Sequence, residues 1–270
     1  MPRVSIGDCS LYVERHGAGF PVLLISGLSG HSGFWRDQVA AFARDYEVVL
    51  HDHRGIGQSD HVKMSYTVDG MANDVLALMD KLGIEKAHIV GHSTGGAIAQ
   101  ILAIDHPERV ATAVICASWT KSDAYFRRLF TMRREILTGL GAGAYVQSAT
   151  LFLYPSWWIT KNNEELRGAE HQALATFSTP EITLSRIDAI LAFDRASDLP
   201  KIKAPTLILG ADDDAVTPGY QSEALARIIP TAELKMFSKG GHCFPQVLAR
   251  DFNQAVLRFL QAHTSESNPT

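Results

Sequence analysis

The residues whose types and spacing could do chemistry centre on Ser93, in the stretch Val90-Gly91-His92-Ser93-Thr94-Gly95-Gly96-Ala97. A serine hydroxyl is a poor nucleophile at neutral pH unless a base takes its proton, and that base must be held in one tautomer by a third group. The chain should therefore also supply a histidine and a carboxylate. His242, which follows Gly240-Gly241, is the only histidine between Gln172 and the terminal helical segment. For the acid, an apolar run ending at Gly210 opens into Asp212-Asp213-Asp214-Ala215-Val216-Thr217-Pro218. Three like charges cannot share one dry site, so one of the three aspartates should be buried against His242 and the others solvated. Asp214, by its distance before Pro218, is the choice, with Asp213 the alternative. The chemistry is nucleophilic acyl transfer, which also needs two backbone N–H donors for the developing oxyanion. Thr94, next after the serine, should give one; Leu28, in the loop after Val22-Leu23-Leu24-Ile25-Ser26, should give the other.

These residues have to be positioned. The apolar run Ala87-His88-Ile89-Val90 reads as a buried strand feeding a sharp turn, and Ala97, Ile98, Ile101 and Ile104 continue at helical spacing. In such a strand-turn-helix a Cβ at Gly91 or Gly95 would collide with neighbouring backbone. Further short apolar strands, Glu47 to Leu50, Val110 to Cys116, Pro205 to Gly210 and Glu233 to Phe237, alternate with helix-patterned segments. Among these are Phe34 to Phe42, Asp69 to Leu82 with Asp69 as N-cap, Gln221 to Ile229 and a last helix from Gln246 to Leu260. A lead-in hairpin pairs Val4-Ser5-Ile6 with Leu11-Tyr12-Val13 across Gly7-Asp8. The rhythm implies an α/β fold with a mostly parallel sheet and helices on both faces.

Between Trp119 and Pro200 the rhythm changes to helical segments, Tyr125 to Leu140, Glu164 to Phe177 and Pro180 to Phe193, rich in aromatic residues. The chain thus divides into a core, 1–118 with 201–264, a helical cap, 119–200, and a disordered tail, 265–270. Trp119, Phe152 and Trp158 are expected to be shared between the cap's own core and a substrate pocket over Ser93. Arg186, near Ile182, Ile187 and Ile190, is either a solvated or ion-paired side chain or the anchor for a substrate carboxylate. His51 and His53 are assigned to a loop rather than a metal, Arg54 to anchoring that loop, and His92 to packing beneath the serine turn.

Composition narrows the function classes. The chain has 270 residues, 46 % hydrophobic and 20 % charged, with 25 Lys+Arg against 29 Asp+Glu and a net charge of −4. That balance points to no nucleic-acid partner, and no apolar run predicts a membrane span. The first fifteen residues lack a basic segment followed by an apolar one, which predicts a cytoplasmic protein. Three cysteines, Cys9, Cys116 and Cys243, far apart and odd in number, argue against a disulfide framework. No cofactor or metal is expected, the partner is a small-molecule substrate, and the aromatic cap makes a homodimer possible.

Ser26-Gly27-Leu28, Asp52-His53-Arg54-Gly55-Ile56-Gly57-Gln58-Ser59, Gly91-His92-Ser93-Thr94-Gly95-Gly96, Asp214-Ala215-Val216-Thr217-Pro218 and Gly241-His242 resemble the successive signatures of the α/β-hydrolase superfamily. Within it the chain resembles the branch of 3-oxoadipate enol-lactonases and of the aminoacrylate or carbamate hydrolases of the Rut pyrimidine-degradation pathway. Leu151-Phe152-Leu153-Tyr154-Pro155 carries the likeness to the latter group. The resemblance implies an eight-stranded, mostly parallel sheet with a helical cap and a cofactor-independent Ser-His-Asp hydrolase. Its substrate would be a small ester, lactone or related acyl compound. Hydrolysis of an aminoacrylate or carbamate in pyrimidine degradation, cleavage of a C–C bond in a vinylogous diketone, and a non-catalytic small-molecule receptor are the alternatives. Where the family usually has His-Gly before the oxyanion loop this chain has Ser26-Gly27, and a serine at 93 separates it from relatives whose nucleophile is aspartate.

Overall fold

A computed structural model describes residues 3–264; the expected disordered tail, 265–270, lies outside the described residues. Strands β1 (Arg3–Ser5) and β2 (Ser10–His16) form the lead-in antiparallel hairpin, with Gly7 at φ +113° supplying the turn conformation that a side chain would resist. Then β3 (Phe20–Ile25), α1 (Arg36–Phe42), β4 (Tyr46–His51), α2 (Val68–Leu82), β5 (Ala87–His92), α3 (Thr94–Asp105) and β6 (Val110–Cys116) alternate as the periodicity predicts. One correction concerns α2: its N-cap is Thr67, whose Oγ1 accepts from the Gly70 N–H at 2.9 Å, whereas Asp69 lies inside the first turn and pairs with Arg195. A carboxylate in the first turn favours the helix N-terminus just as a cap would, which is why the two positions look alike in sequence.

The sheet has eight strands in the order β1-β2-β4-β3-β5-β6-β7-β8, with β7 (Thr206–Ala211) and β8 (Ala232–Phe237) following the cap. From β4 to β8 all neighbours are parallel; β2 runs antiparallel to β4. The chain goes from β3 to β4 on one side and then returns to place β5 on the other. Loops after β3 and β5 therefore leave a crevice at the carboxyl ends of adjacent strands, where open α/β sheets bind ligands. Every residue of β5, β6 and β7 is buried, as continuous apolar strands covered on both faces should be. By contrast β8, at the edge, is largely exposed.

The cap comprises α4 (Ala124–Leu153), α5 (Ser156–Lys161), α6 (Asn163–Ala175) and α7 (Pro180–Ala192). Its two ends meet: Lys121 bridges Asp194, and Arg195 N–H donates to the Thr120 carbonyl at 3.2 Å. Helix α4 runs beyond the Leu140 limit read from sequence, but its backbone breaks at Gly141 (φ +83°). It is the one described helix long and apolar enough by composition to cross a membrane, yet each half is shorter than the roughly 20 residues a span requires. After β7 come α8 (Gly219–Ile228) and, beyond β8, the single expected final helix proves to be two, α9 (Phe244–Val247) and α10 (Ala249–Thr264).

Candidate active site

Ser93 occupies φ +55°, ψ −114°, a conformation costly for a residue with a side chain, at the junction of β5 and α3. The surroundings hold it there. A Cβ on Gly91 would lie 2.1 Å from the Gly95 carbonyl oxygen, and one on Gly95 would lie 2.1 Å from that of Ile25. Only glycine lets α3 start this close to β3 and β5. The Ser93 N–H donates to the Cys116 carbonyl at 2.8 Å and Ser118 Oγ donates to the Ser93 carbonyl at 3.0 Å, so both peptide groups of the turn are tied to the next strand.

The acid and base come from the next two strand ends. Asp214, 4 % exposed, follows β7; its carboxylate accepts from the Val216 and Thr217 N–H groups at 2.7 and 2.9 Å and from Thr217 Oγ1 at 2.8 Å. His242 Nδ1 stands 2.8 Å from Asp214 Oδ2, and the imidazole is buried. A carboxylate at that distance makes Nδ1 the protonated nitrogen and leaves Nε2 as the acceptor. Asp213 has a different partner set: its oxygens accept from the Gly240 and Gly241 N–H groups at 3.1 and 2.7 Å. One aspartate thus orients the imidazole while its neighbour holds the loop that carries it. Those glycines sit at φ +133° and +64°, which turns the chain back over the sheet.

His92 packs beneath this arrangement, as expected: its Nε2 donates to the His242 carbonyl at 2.9 Å, and its ring stacks on Phe34 at 4.5 Å. Burial, with His242 beside it, keeps its pKa well below the ordinary histidine value, so the ring stays neutral. The loop after β3 also lies close to the serine, since a Cβ on Gly27 would lie 3.1 Å from Ser93 Cβ. Thr94 opens α3 directly after Ser93, where first-turn N–H groups have no intrahelical acceptor.

A cleft of about 980 Å³ between sheet and cap is lined by Leu28, Ser93 and His242 from the core and by Phe130, Arg133, Tyr154 and Trp158 from the cap. A second chamber of about 210 Å³, among Arg133, Tyr145, Leu153 and Phe177, shares much of the same wall. Trp158 therefore faces the cleft. Trp119 does not: it is fully buried, 4.6 Å from the Phe126 ring and 5.8 Å from that of Phe193, fastening the cap's root to the core. Phe152 is likewise absent from the lining and packs against the hydrophobic core; its successors Leu153 and Tyr154 reach the cleft instead.

Arg186 is also corrected. It is 1 % exposed, donating from Nε and Nη2 to the Leu28 carbonyl at 3.3 and 3.0 Å, from Nη1 to the Arg54 carbonyl at 3.2 Å and from Nη2 to His53 Nδ1 at 3.0 Å. Its donors are engaged by the core, so it braces the loop that carries Leu28 and is not free to anchor a substrate carboxylate. Burial lowers its pKa to about 10, and burial together with this cation keeps His53 neutral. Arg54 anchors its loop as expected, bidentate to Asp8 and to Asp74. His51 and His53 stack on each other at 5.1 Å, and among the described residues no cluster of three or more His, Cys, Asp or Glu could hold a metal. The residue that sequence reasoning missed is Arg133. Its signal was present, for it lies on the apolar face of α4 with Phe126, Phe130 and Leu137.

Comparison with known proteins agrees with this architecture. A family model described as the alpha/beta hydrolase fold matches residues 21–245. Putative carbamate hydrolase RutD of Azorhizobium caulinodans is 41 % identical over 259 residues, covering 96 % of this chain and 98 % of the relative. The protein of the same description from Caulobacter vibrioides is 39 % identical over 267 residues, covering 97 % and 99 %. Among solved structures, the enol-lactonase from Burkholderia xenovorans superposes with TM-score 0.89 at 24 % identity, covering 96 % of this chain and all of that one. An N-acyl homoserine lactone degrading enzyme superposes with TM-score 0.84 at 28 % identity, with the same coverage. The chain belongs to the α/β-hydrolase family and is a hydrolase.

Proposed function

We propose that the protein hydrolyses small acyl compounds, carbamates and carboxylic esters or lactones, through an acyl-enzyme on Ser93. The observation that carries this reading is the 2.8 Å contact between His242 Nδ1 and a buried Asp214, in the same cleft as a serine held at φ +55°. His242 Nε2 takes the proton of Ser93 Oγ as that oxygen attacks the substrate carbonyl carbon. The tetrahedral oxyanion is received by the Thr94 and Leu28 N–H groups. Collapse expels the alcohol or amine, protonated by His242, and water activated by the same nitrogen then releases the acid and restores the serine. Asp214 holds the imidazole in the required tautomer and stabilises the imidazolium. Carbamates enter because relatives about 40 % identical over almost their whole length carry that activity in their names; lactones enter through the likeness to a lactone-degrading structure.

The test is Ser93→Ala. Turnover of p-nitrophenyl acetate should fall to the uncatalysed background while the circular dichroism spectrum is retained; undiminished turnover in that variant refutes the mechanism. Product analysis of the wild type on matched carbamate, ester, lactone and diketone substrates decides the substrate class, and C–C cleavage of the diketone alone would overturn it.

A further inference from the structure

Helix α4 touches the loops of the triad at both of its ends. At its start, Asp123 caps the helix by accepting from the Phe126 N–H at 2.8 Å, and the second oxygen of Asp123 accepts from Tyr220 Oη and Gln221 Nε2, both at 2.7 Å. Tyr125 Oη donates at 2.6 Å to the carbonyl of Ala215, the residue directly after Asp214. At its other end, the Leu153 carbonyl, one of the last four that find no donor inside a helix, accepts from the Cys243 N–H at 3.0 Å. His92 Nε2 holds the opposite edge of that same peptide group, through the His242 carbonyl at 2.9 Å. Tyr154 Oη donates to Gln246 Oε1 at 2.6 Å, and the Gln246 N–H donates to the Cys243 carbonyl at 2.9 Å. The approach is close, for a Cβ on Gly241 would lie 2.9 Å from both the Leu153 carbonyl oxygen and Pro155 Cδ.

A straight helix could not make both sets of contacts. Its 30 residues would hold the ends about 45 Å apart, whereas the two loops meet where His242 Nδ1 stands 2.8 Å from Asp214. The break at Gly141, φ +83° and ψ 179°, divides α4 into two arms that bend back towards each other. A Cβ at Gly141 would meet nothing within 4 Å, so it is the backbone conformation, rarely open to a residue with a side chain, that selects glycine there. Arg133 on the first arm lies 4.7 Å from the ring centroid of Tyr145 on the second, which ties the arms across the bend.

We propose that α4 is a clamp on the triad, with Tyr125 and Tyr154 as its positioning residues: the first seats the loop that carries Asp214, the second the loop that carries His242. Neither hydroxyl bonds to a triad atom; each acts through its loop, and imidazole and carboxylate stay aligned while both arms are seated. The proposal rests on the serine-hydrolase reading for what the triad does, but not for how it is held.

The experiment compares wild type with Tyr125→Phe and Tyr154→Phe, which delete one hydroxyl each and keep the ring, and with the double variant. In each single variant kcat for p-nitrophenyl acetate should fall roughly 2- to 12-fold, the worth of one net hydrogen bond, and the double variant should lose about the product. Tyr125 does not line the cleft, so KM in Tyr125→Phe should stay within about twofold. Met132→Ala, exposed on the first arm, should keep kcat within about twofold. The second readout is the His242 ring N–H proton held against Asp214, followed by NMR as a far-downfield resonance that Asp214→Asn removes. It should be sharp in the wild type and broadened in both Tyr→Phe variants well below their unfolding midpoints. A loss of stability alone would lower the midpoint and leave that resonance unchanged. A double variant within about twofold of wild-type kcat, or an unaltered resonance in both single variants, overturns the proposal. If the wild type turns over no ester, the hydrolase reading fails, while the resonance still decides whether α4 positions the imidazole. Should Tyr154→Phe not fold, Gln246→Met severs the same bond; should Tyr125→Phe not fold, Tyr220→Phe loosens the same end of the clamp.

Discussion

Replacing Asp214 with asparagine changes two atoms, and the structure shows what each would do. Four donors converge on the carboxylate: the Val216 and Thr217 N–H groups on Oδ1, and Thr217 Oγ1 and His242 Nδ1 on Oδ2 at 2.8 Å. An amide offers one oxygen. If that oxygen stays where two backbone N–H groups need it, the NH₂ group faces His242 Nδ1 and the Thr217 hydroxyl. Nδ1 must then accept, the ring proton moves to Nε2, and the imidazole can no longer take the proton of Ser93. In the opposite orientation the NH₂ group opposes two backbone N–H donors in a site only 4 % exposed, which displaces the loop. Either way the base is lost while the nucleophile and oxyanion donors remain. Loss of about 10³- to 10⁴-fold in kcat follows, or roughly 4 to 5.5 kcal/mol on the barrier at 1.36 kcal/mol per decade. Pre-steady-state and steady-state rates on p-nitrophenyl acetate, with thermal unfolding as a check on the fold, measure it. A folded Asp214→Asn protein within tenfold of wild-type kcat refutes the reasoning.

Three further outcomes follow from the same contacts. Gly95→Ala places a methyl 2.1 Å from the Ile25 carbonyl oxygen, against backbone that cannot yield, and should abolish soluble expression or lower the unfolding midpoint by more than 10 °C in calorimetry. Arg54→Ala leaves Asp74 without the cation it binds bidentately and should cost about 3 kcal/mol in urea unfolding; a loss below 1 kcal/mol would show the pair to be ornamental. His88, buried with its pKa lowered to about 4, takes up its proton in the unfolded chain near pH 6.5 but not in the folded one. Its contribution is therefore present above pH 6.5 and lost as the pH falls towards 4. His88→Gln, which can keep a hydrogen bond to Thr112, should flatten the pH dependence of unfolding free energy over that window by up to about 1.4 kcal/mol per pH unit.

Much of the core and of its site was legible because both rest on backbone constraint. Gly91, Gly95, Gly240 and Gly241 each occupy a place where a Cβ or a negative φ would not fit, so residue type betrays geometry directly. The choice of Asp214 over Asp213 was a matter of register, and the structure separates the two by partner, imidazole for one and loop amides for the other. The cap was less legible because helical periodicity assigns a face without saying whether the face meets core or cavity. Trp119 and Trp158 are the same residue type, yet one is locked between Phe126 and Phe193 and the other borders the cleft. Both Arg133 and Arg186 stand on apolar helix faces; only the partners within reach distinguish a guanidinium that donates to backbone carbonyls from one that rests on aromatic rings. The Leu140 limit read from sequence falls just before the break at Gly141; what helical spacing did not show is that the helix resumes beyond that glycine to Leu153.

The central claim is that Ser93 is activated by His242, and intact-mass spectrometry after brief exposure to a fluorophosphonate tests it most directly. One adduct per chain is predicted, mapped by peptide sequencing to Ser93, absent in Ser93→Ala and slowed by at least a hundredfold in His242→Ala. No adduct on the native protein, an adduct elsewhere, or labelling of Ser93 at an undiminished rate without His242 would contradict the account.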